Sequence, residues 1–548
     1  MKTKLLLLLV IVMSSYLLSA QVAVKDTYWV KLKDKKGTPY AINHPEAFLS
    51  QRSIDRRHRQ QIAVNETDLP VSPVYLDSLK KLGLEIVHSS KWLNGTTVRT
   101  DDPDLMRKVS ALSFVSEVQL TKPGKALKSA RNKFNEPEMQ AGYAPAHYGK
   151  AYKQLSQLNG QYLHNKGFRG KGIQVAVLDA GFWHVNQIAA FDSLRSSHRI
   201  LGTHDFVDPH SDIYQQHTHG MSVLSTMGGN IPGTLVGTAP DASFYLFRSE
   251  DDASENLIEE DNWVAAAELA DSVGADVINS SLGYNLFDDS TKNHTYADMN
   301  GVKTRVTQGA NMAFSKGILV FTSAGNEGRN AWRHIIAPTD GVNVISVAAV
   351  DSLGNRAPFS SIGPAYGGAV KPNLAARGRL TYLVASNGEL GYSNGTSFSS
   401  PVLAGMGACL IQANPQATVK QIKLALEQSG SRYLSPDSLT GYGIPDFEKA
   451  DSLLKLMVAS HHDPKASWQI WPNPFTDYLV AHNLKAVQGN KWLVKIYNLQ
   501  GVCLWQKEFS NSEPLLLNNL GNLPNGLLIL SIRSGDKEEQ IKLIKAFR

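Results

Sequence analysis

The middle of this 548-residue chain predicts an α/β fold, a parallel sheet with helices on both faces. Three observations carry that expectation. From about residue 170, short β-rich apolar runs alternate with helical stretches. Asp179 and Asn326 each fall just past the end of such a run, and open α/β sheets bind ligands beyond the carboxyl ends of their strands. The segments before and after this region follow other patterns, a small α+β unit ahead of it and a small all-β sandwich behind.

Residues 27 to 121 make the first small unit. Tyr28, Val30 and Leu32 alternate as a half-buried strand does, and Gly95–Thr100 and Phe114–Leu120 are further strands. Tyr75, Leu79 and Leu82 recur at helical spacing between Pro73 and Gly83, and Leu105, Val109 and Leu112 repeat it. Residues 122 to 150 are polar, carry Pro and Gly and lack periodicity, as an exposed cleavable linker would. In the central region the strands are Ile173–Leu178, Ser243–Phe247, Asp276–Asn279, Ile318–Thr322 and Val344–Val350. Its helices are Leu257–Val273, Val302–Ser315, Ser397–Gln412 and Val419–Glu427, with Asp446–Met457 closing the unit. The pattern breaks at residues 459 to 465. Beyond them, strands at Trp471–Phe475, Trp492–Tyr497, Gly501–Trp505 and Leu527–Ile532 predict the sandwich.

The chain starts with a basic Met1–Lys4, an apolar Leu5–Met13 and a small-residue end at Leu18–Ala20, the pattern of a secretory signal cut before Gln21. That apolar run is too short for a comfortable membrane anchor, and no later one is long enough to span. A net charge of +6, from 55 basic and 49 acidic residues, comes without a basic tract, so nucleic acid is not an expected partner. With Cys409 and Cys503 alone, no disulfide framework forms, and Cys409 reads as a small buried residue.

Three segments suggest chemistry. The run VAVLD ends in Asp179, HGMSV begins with His219, and GTSFSSP holds Ser397. An acyl-transfer nucleophile needs a hydroxyl, an imidazole to take its proton and a carboxylate to orient the ring. Ser399 and Ser400 compete with Ser397 for the hydroxyl's part. His217 could pair with His219 as a metal ligand, but two ligands make no closed site, and His217 reads as a solvent-facing loop residue. The segment TSAGNEG offers the Asn326 side-chain amide as a donor to an oxyanion. A lipase-type hydrolase would need a Gly-x-Ser-x-Gly elbow and the order Ser, Asp, His, and neither is present. No acidic stretch has clear metal-ligand spacing, so Glu250–Asp252, Glu259–Asp261 and Asp288-Asp289 read as solvated faces. No metal or cofactor is assigned.

With VINSSLG at Val277–Gly283 and the stretch Ala349–Gly363, these segments resemble the subtilisin-like serine protease family over about residues 155 to 456. Two positions depart from the family's habit, Ala180 after the Asp and Leu224 five residues past the His. The resemblance implies a subtilisin-like fold, with Asp179, His219 and Ser397 as catalytic triad and Asn326 in the oxyanion hole. It implies that Ser281, Leu282 and Gly283 pair with an extended peptide, so the substrate is a protein or peptide. An amide at 326, where acid-active relatives carry a carboxylic acid, implies work near neutral or alkaline pH. Structural calcium is common in the family and is not assignable here.

The N-terminal unit resembles the family's propeptide, a folding assistant and inhibitor. Residues 471 onward, with IYNLQG at Ile496–Gly501, LPNG at Leu523–Gly526 and the basic end Lys542–Arg548, resemble the sorting domain of type IX secretion. The expected organisation is a signal at 1–20, propeptide and linker at 21–150, a catalytic domain at 151–458, and a linker with sorting domain at 459–548. The expected protein is a secreted or cell-surface endopeptidase made as a zymogen and exported through the periplasm and outer membrane. An adhesin on an inactive scaffold is the rival, against which the intact motifs speak.

Overall fold

A computed structural model describes residues 25–124, 133, 147–461, 468–471, 473–483, 491–510, 515–535 and 537–545. The expected signal at 1–20, most of the linker between 125 and 146, and the break at 462–467 lie outside them.

Seven parallel strands form the central sheet, in the order Leu374–Arg377, Ile345–Val350, Leu319–Ser323, Val277–Ser280, Gln174–Asp179, Ser243–Arg248, Ile200–Asp205. Val175–Leu178, Val277, Ile278 and Leu319–Phe321 are fully buried, which is why these runs are continuously apolar. Leu178 pairs with Ser280 and Ser280 with Thr322, so the residues that follow three neighbouring strands emerge side by side at the carboxyl edge. The two outermost strands were not expected. Ile200–Asp205 is half exposed and carries polar residues, and Leu374–Arg377 is only four residues long.

Helices flank the sheet. Thr396–Ala413 packs on His219–Gly228 and on the middle strands, while Ile258–Val273 packs on Arg305–Ser315. Ala404, Gly405, Gly407 and Ala408 keep the first of these thin enough for close packing, and a Cβ at Gly405 would lie 2.1 Å from Thr238 Oγ1.

The N-terminal unit is a four-stranded antiparallel sheet, ordered Glu85–Ser90, Gly95–Thr100, Asp26–Leu32, Val115–Lys122. It lies against Ile258–Val273. That helix is therefore enclosed by two sheets, and its polar residues are interior. This corrects the expectation of solvated faces: Glu250 and Glu259–Asp261 are buried, whereas Asp252 is exposed. Arg305 Nε donates to Asp261 Oδ1 at 2.6 Å, and Ser90 Oγ to Glu268 Oε1 at 2.6 Å, because buried carboxylates must be paired.

The C-terminal unit has two antiparallel sheets. Trp468–Trp471, Leu479–Asn483 and Leu515–Leu517 make one, and Cys503–Ser510, Lys491–Tyr497, Gly526–Ser534 and Lys537–Lys545 the other. Trp468, Phe475, Val494, Ile496 and Leu530 fill its core. Cys409 is buried and Cys503 exposed, both as free thiols. Among the described residues no helix is long and apolar enough to cross a membrane.

Candidate active site

Asp179 closes the interior strand Gln174–Asp179, next to the middle one, with its side chain fully buried. Its Oδ1 accepts from the Ala180 backbone N–H at 2.8 Å and from His219 Nδ1 at 2.7 Å. A carboxylate only accepts, so Nδ1 carries the proton and Nε2 of the neutral ring keeps the lone pair. His219 opens the helix His219–Gly228, and Gly220 lets that helix start so close to the strand. A Cβ at 220 would sit 2.4 Å from the Gly181 carbonyl oxygen and 2.9 Å from Asp179 Cβ. His217 is not the solvent-facing loop residue expected. It is half-buried, and its Nδ1 accepts the His219 backbone N–H at 3.2 Å. Burial is the largest cause that lowers its pKa.

Ser397 is the second residue of the helix Thr396–Ala413, where backbone N–H groups lack intrahelical acceptors and the helix dipole favours negative charge. The Phe398 ring beside it lies 5.9 Å from the His219 ring, so the two helix starts meet. Pro401 has no N–H to give the Ser397 carbonyl four residues back. Ser281 Oγ fills that gap at 2.8 Å, and Ser397 Oγ donates to the Ser281 carbonyl at 3.3 Å. The rival hydroxyls are engaged elsewhere: Ser399 Oγ donates to the Thr396 carbonyl and Ser400 Oγ to Asn279 Oδ1, and both are fully buried.

Asn326 follows the strand Leu319–Ser323. Its Oδ1 accepts from the Thr396 backbone N–H and from Thr396 Oγ1, each at 2.9 Å. A backbone N–H can bond only the oxygen, so the amide orientation is fixed and the NH2 is the arm left for another acceptor. Thr396 was missed in the sequence, although its place before Ser397 was the available signal. Its Oγ1 also accepts the Gly325 N–H at 3.2 Å, clamping the loop of Asn326 to the helix of Ser397.

Ser281, Leu282 and Gly283 leave the strand Val277–Ser280 next to Ser397, with Ser281 and Leu282 buried. Tyr284 then exchanges backbone hydrogen bonds with Ala337, at 2.8 and 3.2 Å. This seats Ile336 against Gly283, where a Cβ would meet Ile336 Cδ1 at 2.4 Å. All seven residues singled out in the sequence thus gather at the carboxyl edge of one sheet.

Residues 170–443, half of the chain, match the sequence profile of the Subtilase family. The chain belongs to the subtilase family. In this subtilase, residues 27–137 match the Peptidase S8 propeptide domain of Bacteroidota, and residues 469–546 the Secretion system C-terminal sorting domain. Similar relatives include Subtilisin NAT of Bacillus subtilis subsp. natto, 30% identical over 301 residues that make up 54% of this chain and 70% of the relative. Subtilisin of Bacillus pumilus is 30% identical, with 54% of this chain and 97% of the relative covered. Among solved structures, the Prenylagaramide maturation protease PagA aligns at 22% identity and a TM-score of 0.43, over 54% of this chain and 98% of that one. The subtilase is a subtilisin-like serine endopeptidase, made as a zymogen and exported to the cell surface or beyond.

Proposed function

We propose that Ser397 attacks the scissile carbonyl of a protein or peptide while His219 Nε2 takes its proton. His219 then protonates the leaving amine, and water releases the acyl group by the same route. Asp179 holds the ring in the tautomer that leaves Nε2 basic, and the Asn326 amide with the Ser397 N–H faces the developing oxyanion. The observation that carries this reading is the 2.7 Å bond from His219 to the buried Asp179, beside the helix start that presents Ser397. Ser281–Gly283 would pair with the substrate backbone, and Thr322–Gly325 with Ile336 and Ala337 would wall a pocket suited to an apolar side chain.

Residues 21–150 act as propeptide and inhibitor, 151–458 as catalytic domain, and 459–548 as the part that the secretion machinery recognises. Casein hydrolysis tests the core of this reading. Ser397→Ala lowers the rate by about 10⁶-fold, and Asn326→Leu by roughly 10² to 10³, sizes taken from members of this same family. Hydrolysis by Ser397→Ala at the wild-type rate would remove Ser397 from the mechanism.

A further inference from the structure

Lys133 follows the N-terminal sheet in sequence, and its ammonium ends in a socket of oxygens on the catalytic unit. Nζ is 2.7 Å from Glu250 Oε1, 2.9 Å from Glu255 Oε2 and 3.1 Å from Glu259 Oε1. It also donates to the carbonyl oxygens of Asp251 at 2.9 Å and Ser254 at 2.6 Å. The Lys133 side chain keeps 12% of its surface exposed, Glu250 5% and Glu259 1%. The walls are held by the catalytic unit itself. Glu259 accepts the N–H groups of Asp251 and Asn256, each at 3.0 Å, and Glu250 Oε2 accepts Tyr284 Oη at 3.0 Å.

Tyr284 is three residues beyond Ser281, which touches Ser397 on both its backbone and its hydroxyl. Three residues of chain span at most about 10 Å, and the tyrosine side chain carries the contact on to Glu250, so the socket and the nucleophile are within reach of one short extended peptide. Resting on the peptidase reading above, we infer that Glu250, Glu255 and Glu259 form a subsite for a basic side chain three or four residues before the scissile bond, filled by Lys133 in the uncut chain.

Buried carboxylates require a cation or a proton. Burial and repulsion from Glu250 push Glu255 up to about 8 and Glu259 well above its ordinary range. Near neutral pH the socket therefore carries less than three full negative charges, which suits one ammonium better than a divalent ion. Its distances are those of N–H···O bonds, longer than calcium–oxygen contacts. Glu255, with 16% of its side chain exposed, is the rim through which a side chain enters.

The test is a set of fluorogenic peptides given to the processed enzyme, with Lys or its uncharged isostere norleucine at each position before the scissile bond. The expected result is a kcat/KM ratio of Lys to norleucine of about 100 at the third or fourth position and near one elsewhere. Glu250→Gln, which removes a charge, and Glu255→Leu, which removes the rim oxygen that meets the ammonium, should each lower that ratio tenfold or more, and a general loss of activity cancels within the ratio. A ratio near one throughout, or one unchanged in both variants, overturns the subsite. If no peptide is cleaved, the peptidase reading fails and binding decides the socket. In a Ser397→Ala, Lys133→Ala full chain, fluorescence anisotropy should then show the Lys peptide binding tighter than its norleucine twin by a similar factor. Equal binding of the two peptides, together with calcium uptake by calorimetry that Glu250→Gln abolishes, would make the socket a metal site and overturn the inference.

Discussion

The two small units that flank the catalytic one both have antiparallel sheets and apolar cores of their own, yet they place charge differently. In the C-terminal unit the buried residues face one another, Trp468 and Trp492 edge to face and Leu530, Ile532 and Leu543 between the sheets. The N-terminal unit also sends charge into its neighbour. Arg56 and Arg57, both fully buried, reach Asp271 at 2.5 and 2.9 Å, and Lys91 reaches it at 3.2 Å. Arg57 also meets Asp68 at 2.8 Å, and Lys316 of the catalytic unit meets Asp68 at 2.9 Å. An apolar interface gains from almost any close fit, whereas buried ions repay their desolvation only when every partner is in place. A propeptide that must hold firmly while intact and leave once cut is served by the second kind of contact, since its charges return to water on release.

Removing one partner should therefore cost more at this interface than anywhere else in the flanking units. Arg57→Ala leaves Asp68 and Asp271 short of a partner inside, a loss of about 3–5 kcal/mol. In a Ser397→Ala chain, which stays uncut, the expected outcome is a lower melting midpoint for the N-terminal unit and faster exchange of amides in Val115–Lys122. Unchanged exchange would show that the ions are spectators.

Leu530→Ala is the matching change in the other unit. A fully buried leucine truncated in a sheet costs roughly 2–5 kcal/mol. The expected effect is early melting of the C-terminal unit and its release by limited proteolysis, with casein hydrolysis unchanged. A fall in hydrolysis would mean that the sandwich supports the catalytic unit and that the contrast drawn above is too sharp.

The same contrast sets what was legible in the sequence. Apolar runs such as Val175–Leu178 announce a strand, because a sheet covered on both faces leaves little place for a polar side chain. Asp179, His219, Ser397 and Asn326 could be named because each sits in a short local pattern at an element's end. The helix Gln51–Arg59, reading QRSIDRRHR, shows no apolar stripe, since much of what it buries is arginine. The partner that Arg56 and Arg57 share, Asp271, lies more than 200 residues away, and no local pattern signals it. Glu259 and Asp261 misled for the same reason. A carboxylate looks the same in sequence whether its counter-ion is water or the Arg305 of another helix.

The smallest expected effect separates two kinds of buried charge by pH. Burial alone would raise Asp271, but Lys91, Arg56 and Arg57 override it and hold its carboxyl well below the usual range. A lowered folded pKa gives stability that is present above the ordinary carboxylate value of about 4 and is lost only in stronger acid, so mild acid leaves that anchor intact. Glu255 has the opposite sign. Burial first, then repulsion from Glu250, raises it to about 8 against the pull of Lys133. Its contribution is complete below about 4.3, the unfolded value, and is lost as pH rises through 8. Melting of the uncut Ser397→Ala chain should therefore fall between pH 5 and pH 9, and Glu255→Gln, which cannot ionise, should flatten that fall while leaving the acid limb set by Asp271 where it was. Identical pH profiles for the two chains would place the titration on another group and detach the socket's charge from the hold of the N-terminal unit.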